Sequence, residues 1–319
     1  MKPKILLTGT NGQLGFELLQ LLPSLGEVIA PGRQDLNLLD SHKLRRVVRD
    51  IRPQLIVNAA AYTAVDAAET DEANAYAINA VAPAVLAEEA KTVGAAIVHY
   101  STDYVFDGSK TSPYVETDRT NPINIYGKTK LAGERGVRES GAPHLILRTA
   151  WVYATRGRNF LMTILRLATE REELRIVDDQ FGSPTCSPGI ATSTIKILAR
   201  LFSQTDSLPT FSQFGGTYHM TAAGETTWFG FASAILEEAP RVSRDASWFA
   251  EATSRKPLIS RRIIPILTAE YPTSASRPAY SVLSNSRLHQ QFGVVLPDWR
   301  AQLQDCLGVG PLERRVQIA

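Results

Sequence analysis

The segment that most restricts what this chain can fold into is Thr8-Gly9-Thr10-Asn11-Gly12-Gln13-Leu14-Gly15. It closes a short apolar run at residues 4–8 and opens a helix-like pattern at 13–22, so its glycines, spaced G-x-x-G-x-x-G, stand at a strand-to-helix turn. In such a turn the first glycine permits a tight bend, the second lets the backbone approach a pyrophosphate, and the third lets helix and strand pack closely. The helix start adds unpaired N–H groups and the positive end of the helix dipole. A turn that merely tolerates glycine is the plainer reading. Its place at the head of a strand–helix series favours a dinucleotide cradle made by Gly9, Asn11, Gly12, Gln13, Leu14 and Gly15.

The rest of the first half keeps the same rhythm. Short runs rich in Ile, Leu and Val at 4–8, 28–30, 55–59, 96–102 and 145–149 read as buried strands. Between them 13–22, 41–51, 71–93 and 125–140 read as helices, with Asp40 and Ser41 as caps for the second. This alternation predicts an α/β fold, a doubly wound parallel sheet of the Rossmann kind. The second half is less regular: 174–177 and 217–220 suit strands, 190–202 and 228–238 suit helices, and nine prolines from Pro184 to Pro297 mark long connections. Residues 1–150 are therefore expected to bind a dinucleotide, with the elements near 190–235 returning to that unit. Residues 151–319 are expected to form mainly a smaller, loop-rich substrate-binding lobe.

Bulk properties exclude several classes. A net charge of +2 gives no electrostatic drive toward nucleic acid or a membrane surface. The basic stretch 255–262 is broken by Pro257, Leu258 and Ile259 and reads as a solvated loop. Two cysteines, Cys186 and Cys306, make no disulfide framework, and the five histidines show no metal-ligand spacing. No apolar run approaches the roughly 20 residues of a spanning helix. With no signal-peptide core before the first strand, a cytoplasmic protein is expected.

Arg33, Asp35 and Leu36 follow the second strand. Asp35 lies where an acidic residue bonds a ribose 2′-hydroxyl, whereas Arg33 suits a 2′-phosphate, so NADPH and NADH both stay open. Ala59, Ala60, Ala61 and Tyr62 end the third strand with small residues, consistent with backbone lying against a nucleotide or with close helix packing. Thr102 closes the fourth strand, at the sheet edge where ligands of such folds bind. Tyr126 and Lys130 stand four apart on the next long helix, hence on one face. With 10 tyrosines, about 0.3 such pairs arise by chance, so the pair needs its company. An ammonium beside the phenol is expected to lower the tyrosine pKa toward neutrality. Tyr126 would then protonate a carbonyl oxygen as hydride arrives from a nicotinamide, with Thr102 donating a hydrogen bond to that oxygen.

This set resembles the extended short-chain dehydrogenase/reductase superfamily. Further blocks, Ser101 to Gly108, Pro122 to Lys130, Leu147 to Tyr153, Asp179 to Thr185 and Arg277 to Ser281, are similar to those of the dTDP-4-dehydrorhamnose reductase family and span most of the chain. The resemblance implies reduction of the 4-keto group of a dTDP-linked 4-keto-6-deoxy sugar, with NADPH as reductant or, alternatively, NADH. It implies Thr102, Tyr126 and Lys130 as the catalytic set, and Tyr126 and Lys130 with Asn79 beside the cofactor. Asp103, Tyr104, Trp151 and Arg277 are implied to meet the substrate along with Thr102 and Tyr126. The family's relatives also include sugar-nucleotide 4-epimerases, dehydratases and non-catalytic NADP(H)-binding subunits. Tyr104, rather than a glutamate, after Asp103 disfavours dehydration, and an intact Thr–Tyr–Lys set favours turnover. Some members dimerise through magnesium held by two glutamates. Glu17 matches one, but Cys186-Ser187-Pro188-Gly189 supplies no second carboxylate, so no metal is expected and the chain is expected to be a monomer or homodimer.

Overall fold

Alternate residues of the first strand face opposite ways, and the whole architecture follows from that. In the computed structural model, which describes residues 2–202, 211 and 213–310, Ile5 and Leu7 point into one hydrophobic core while Leu6 points into another. Both faces of this strand are therefore buried. β1 (Lys4–Thr8), β2 (Glu27–Ile29), β3 (Leu55–Asn58), β4 (Ala96–Thr102) and β5 (His144–Thr149) form one sheet with a sixth strand, Gly216–His219. The spatial order is sixth–β5–β4–β3–β1–β2, and every pairing is parallel. Helices α1 (Gln13–Leu21) and Ser187–Phe202 cover one face. α2 (Ser41–Ile51), Ala82–Val93 and Ile125–Glu139 cover the other. The sheet is doubly wound, as expected.

Winding reverses between β1 and β3, so a crevice opens beyond their carboxyl ends. A second core gathers Tyr153, Leu161, Leu174, Phe231, Phe249 and Leu303 around a parallel strand pair, Glu173–Val177 with Arg262–Ile266. Two readings need correction here. The basic stretch is not wholly a solvated loop: Ser254 and Arg255 turn the chain at positive φ (50° and 58°), and Arg262 then enters a strand opposite Glu173, with which it forms an ion pair. The helix expected over 71–93 is interrupted. It runs as Glu72–Tyr76, a π-turn at Ala77–Val81, then Ala82–Val93. Pro83 has no N–H to offer the carbonyl of Asn79, four residues back, so the ladder widens there.

Candidate active site

The glycine loop is shaped as its spacing requires. Gly9 adopts φ +78°, and a Cβ there would lie 2.6 Å from the Ala60 nitrogen; one on Gly15 would lie 2.1 Å from the Gly9 carbonyl. The loop after β1 thus packs backbone to backbone on Ala59 and Ala60 after β3, at the switch point. Gly12 caps α1 in extended backbone, and no side-chain hydrogen bond caps the helix start. Its free N–H groups fit a pyrophosphate. Asn11 and Gly12 are exposed, with Gln13 and Leu14 half-buried. The Gln13 side chain accepts a hydrogen bond from Asn159 at 2.8 Å.

Past β2, Arg33 and Asp35 stand exposed in a turn closed by the Asp35 N–H on the Gly32 carbonyl (3.0 Å). Leu36 is instead buried in the core under α2, so only its backbone is available to a nucleotide. Asn79 is 1% exposed, and its amide is already engaged. Its Oδ1 accepts from the Tyr62 N–H (2.8 Å), while its Nδ2 donates to the Tyr62 carbonyl (3.0 Å) and to Thr129 Oγ1 (3.2 Å). Thr129 in turn donates to the Tyr126 carbonyl at 2.9 Å. Asn79 therefore ties the loop Ala59–Ala61–Tyr62 to the helix that carries Tyr126.

That helix, Ile125–Glu139, is capped by Asn124, whose Oδ1 accepts from the Gly127 N–H (2.7 Å) and whose Nδ2 reaches the Ser276 carbonyl (2.8 Å). Gly127 has no room for a side chain: a Cβ would fall 2.1 Å from the Tyr104 carbonyl. This close seat brings Tyr126 to the end of β4, with the Tyr104 ring edge-on to it at 6.0 Å. Thr102 Oγ1 donates to Asp103 Oδ1 (2.9 Å) and accepts from the Tyr104 N–H (3.1 Å). Thr102, Asp103, Tyr104 and Tyr126 thus form one cluster, with Lys130 buried one turn further along the Tyr126 helix.

Its electrostatics differ from expectation in one respect. Packing around the Tyr126 ring pushes its hydroxyl up to about 12; hydrogen bonding with Thr102 opposes the rise and the Asp103 carboxylate adds to it. The expected lowering by Lys130 is absent, because the Lys130 ammonium is turned to the Tyr100 carbonyl, donating at 2.5 Å. Burial drives Lys130 itself down to about 8, against the opposing charge of Glu134. Burial raises Asp103 to about 6, opposed by Ser281 and Thr102, and its Oδ2 forms no hydrogen bond.

Beneath the cluster lies a buried network that the sequence reading did not assign. Glu134 accepts two hydrogen bonds from Arg148 (2.8 and 2.7 Å) and one from Arg138 (3.1 Å). The next side chain, His219, lies 3.5 Å from Arg148 and 3.1 Å from the Tyr114 carbonyl. The sequence signal was available: Glu134 stands one more turn along the Tyr126–Lys130 face. Removing one partner of a buried pair leaves an uncompensated charge. Arg148→Met is therefore expected to lower unfolding free energy by about 3–5 kcal/mol in a denaturant titration.

The same interior governs acid stability. Burial and the Arg148 charge drive His219 down to about 3, and burial drives His99 well down. Between pH 6.5 and about 3 the unfolded chain binds protons that folded His219 refuses, so stability falls on acidification. Asp103, raised from 3.8 to about 6, acts in the opposite sense but over a smaller displacement. We expect chemical denaturation midpoints to drop below pH 6.5, and His219→Asn to flatten that slope.

Beyond β5, Trp151 is held at φ +47° with its indole stacked on Trp228 at 3.5 Å. Gly182 lies against it: a Cβ there would come within 2.3 Å of the indole. Trp228 Nε1 donates to Gln180 at 3.1 Å, locking the stack. Arg277 pairs with Asp66 (2.6 Å) and also donates to Thr273 (2.6 Å), near the start of the Tyr126 helix but largely satisfied by these partners. Glu17 is half-buried, which raises its pKa, with Arg156 opposing. Among the described residues no group of three or more His, Cys, Asp or Glu could hold a metal ion.

Residues 2–309 match the family model described as the RmlD substrate binding domain. A dTDP-4-dehydrorhamnose reductase of Burkholderia thailandensis is 51% identical over 304 residues, covering 95% of this chain and 98% of that protein. One from Escherichia coli K12 is 42% identical over 307 residues, covering 95% and 96%. Among solved structures, a dTDP-4-dehydrorhamnose reductase of Clostridium acetobutylicum superposes with TM-score 0.83 at 36% identity, covering 96% of this chain and 99% of that one. The Bacillus anthracis enzyme in complex with NADP gives 0.82 at 35%, covering 95% and 98%.

Proposed function

We propose, from the premise that this chain belongs to the RmlD substrate binding domain family, that it is a dTDP-4-dehydrorhamnose reductase, converting dTDP-4-dehydrorhamnose to dTDP-L-rhamnose with NADPH. The observation that carries this reading is the seating of Tyr126 beside Thr102 at the carboxyl end of β4, one crevice from the glycine cradle.

NADPH, when bound, would supply a hydride to the keto carbon. The chain's residues do the rest. Gly9, Gly12 and Gly15 leave room for phosphates at the start of α1, with Asn11, Gln13 and Leu14 around them, and Ala59–Ala61 with Tyr62 form the opposite wall. Arg33 and Asp35 would meet the adenosine ribose, where Arg33 suits the 2′-phosphate of NADPH; NADH is the alternative reductant. Thr102 donates to the 4-keto oxygen and so orients it toward Tyr126. At neutral pH the Tyr126 hydroxyl, held up to about 12, keeps the proton it must donate. Lys130, buried one turn along the same helix and bonded to the Tyr100 carbonyl, would place positive charge beneath the phenolate left behind and is assigned to the ribose hydroxyls.

Asp103, Tyr104 and Arg277 meet the sugar nucleotide, and Trp151 offers apolar surface to the 6-methyl group. In this assignment residues 1–150 bind the dinucleotide, the elements near 190–235 return to that unit, and 151–319 mainly bind substrate. No described helix is long and apolar enough to cross a membrane. Action in the cytoplasm, as a monomer or homodimer, belongs to the same proposal. The test is NADPH absorbance decay with purified protein and the dTDP-4-keto sugar made in situ. Sugar-dependent oxidation is expected; NADPH binding without oxidation would overturn the substrate assignment.

A further inference from the structure

Tyr126, Lys130 and Glu134 recur every four residues and form one stripe down the inner face of their helix. The proposed chemistry uses the first two. We propose that Glu134 is a positioning residue, a carboxylate clamped by Arg148 one turn along the helix from Lys130, whose negative charge keeps that buried ammonium protonated for its work beside Tyr126. The proposal rests on the reductase reading and deepens it.

The geometry leaves Glu134 little alternative. Its side chain is fully buried, and three guanidinium hydrogen bonds fix both oxygens. Arg148 is itself immobilised, lying over the Phe106 ring at 5.2 Å and against His219. Lys130 is 2% exposed and tethered to the Tyr100 carbonyl of β4. A buried ammonium surrenders its proton unless an anion stands near.

The helical segments between residues 65 and 93 that pack against the Lys130 helix carry Asp66, paired with Arg277, the exposed Glu72, and Glu89, paired with Arg45 and Arg49. The Lys130 helix itself gives Tyr126, Glu134 and Arg138. β4 and the following turn give His99, Tyr100, Asp103 and Tyr104, and β5 and the sixth strand give Arg148 and His219. Glu69 meets the helix start through the Ile125 N–H. His99 and His219 are held neutral by burial. Of this set, Glu134 is the charge that raises Lys130 against its own burial. With Glu134 neutralised, Lys130 would face Arg148 across a dry interior with the balancing anion gone.

Two variants test this, each followed by the pH profile of kcat/KM and by NADPH dissociation constants from fluorescence titration. Glu134→Gln keeps the shape and removes the charge. The alkaline limb of activity, and the weakening of NADPH binding that accompanies it, are expected to move to lower pH by about one unit or more. Glu134→Asp keeps a partner for Arg148 and retracts the charge, so an intermediate displacement is expected; it carries the test should the amide variant fail to fold. A limb at the wild-type pH in either folded variant, with activity lowered evenly at all pH values, would make Glu134 merely structural and overturn the proposal. Wild-type protein that binds no NADPH would overturn the reductase reading first, before any variant is compared.

Discussion

Tyr126→Phe should leave NADPH binding nearly unchanged while sugar-dependent oxidation falls by roughly 10²–10⁴-fold, the range for loss of a general acid. The fold gives reason to expect so clean a separation. The Tyr126 ring packs edge-on against Tyr104, and Phe keeps that contact. Helix register is set by Gly127 against the Tyr104 carbonyl and by the Asn124 cap, neither of which involves the hydroxyl. The missing atom is therefore the proton donor, together with its hydrogen bond to Thr102. Stopped-flow oxidation alongside a fluorescence titration separates the two quantities. Undiminished turnover in the variant would move the acid to Asp103, the other group in the cluster with a proton to give near pH 6.

Lys130→Met should abolish most activity, weaken cofactor binding, and yet yield a more stable protein. The displacement of Lys130 from 10.5 to about 8 corresponds to about 3 kcal/mol spent keeping an ammonium in a dry site at neutral pH. Methionine fills similar volume without that penalty. Part of the gain is offset because the Tyr100 carbonyl loses its donor and Glu134 one of its cations. A net gain of about 1–2 kcal/mol in unfolding free energy is expected. The check is a pair of denaturant titrations at pH 7 and at pH 10. The gain should shrink at the higher pH, because the unfolded lysine there has begun to lose its proton as well. A variant less stable than the parent at pH 7 would show that Lys130 is a net stabilising element and not a functional burden.

Much of the scaffold was legible because it rests on local chemistry. β1, β4 and α2 begin and end where apolar runs and caps place them, since buried parallel strands and an Asp40-capped helix carry their own signals. The glycine loop and the Tyr126–Lys130 pair were legible for the same reason. What escaped depends on contacts distant in sequence. Glu134 and Arg148 lie on different elements, and only the packing of the helix on β5 makes them a pair. The direction of the Lys130 ammonium depends on where the Tyr100 carbonyl happens to be. Pro83 did announce a break, but a proline also fits a helix start, and the π-turn needed the Asn79 carbonyl facing Gly133 to become visible.

Arg33 and Asp35 stand in solvent on a turn held by its own backbone, while Leu36 beside them is anchored in the core. On the proposed assignment of these residues to the adenosine ribose, affinity for one nicotinamide dinucleotide over another is set on the rim, apart from the network that supports Tyr126. Substitutions on that rim are cheap for the fold. A lineage, or an engineer, could exchange reductants there by one or two surface changes while the chemistry stays intact.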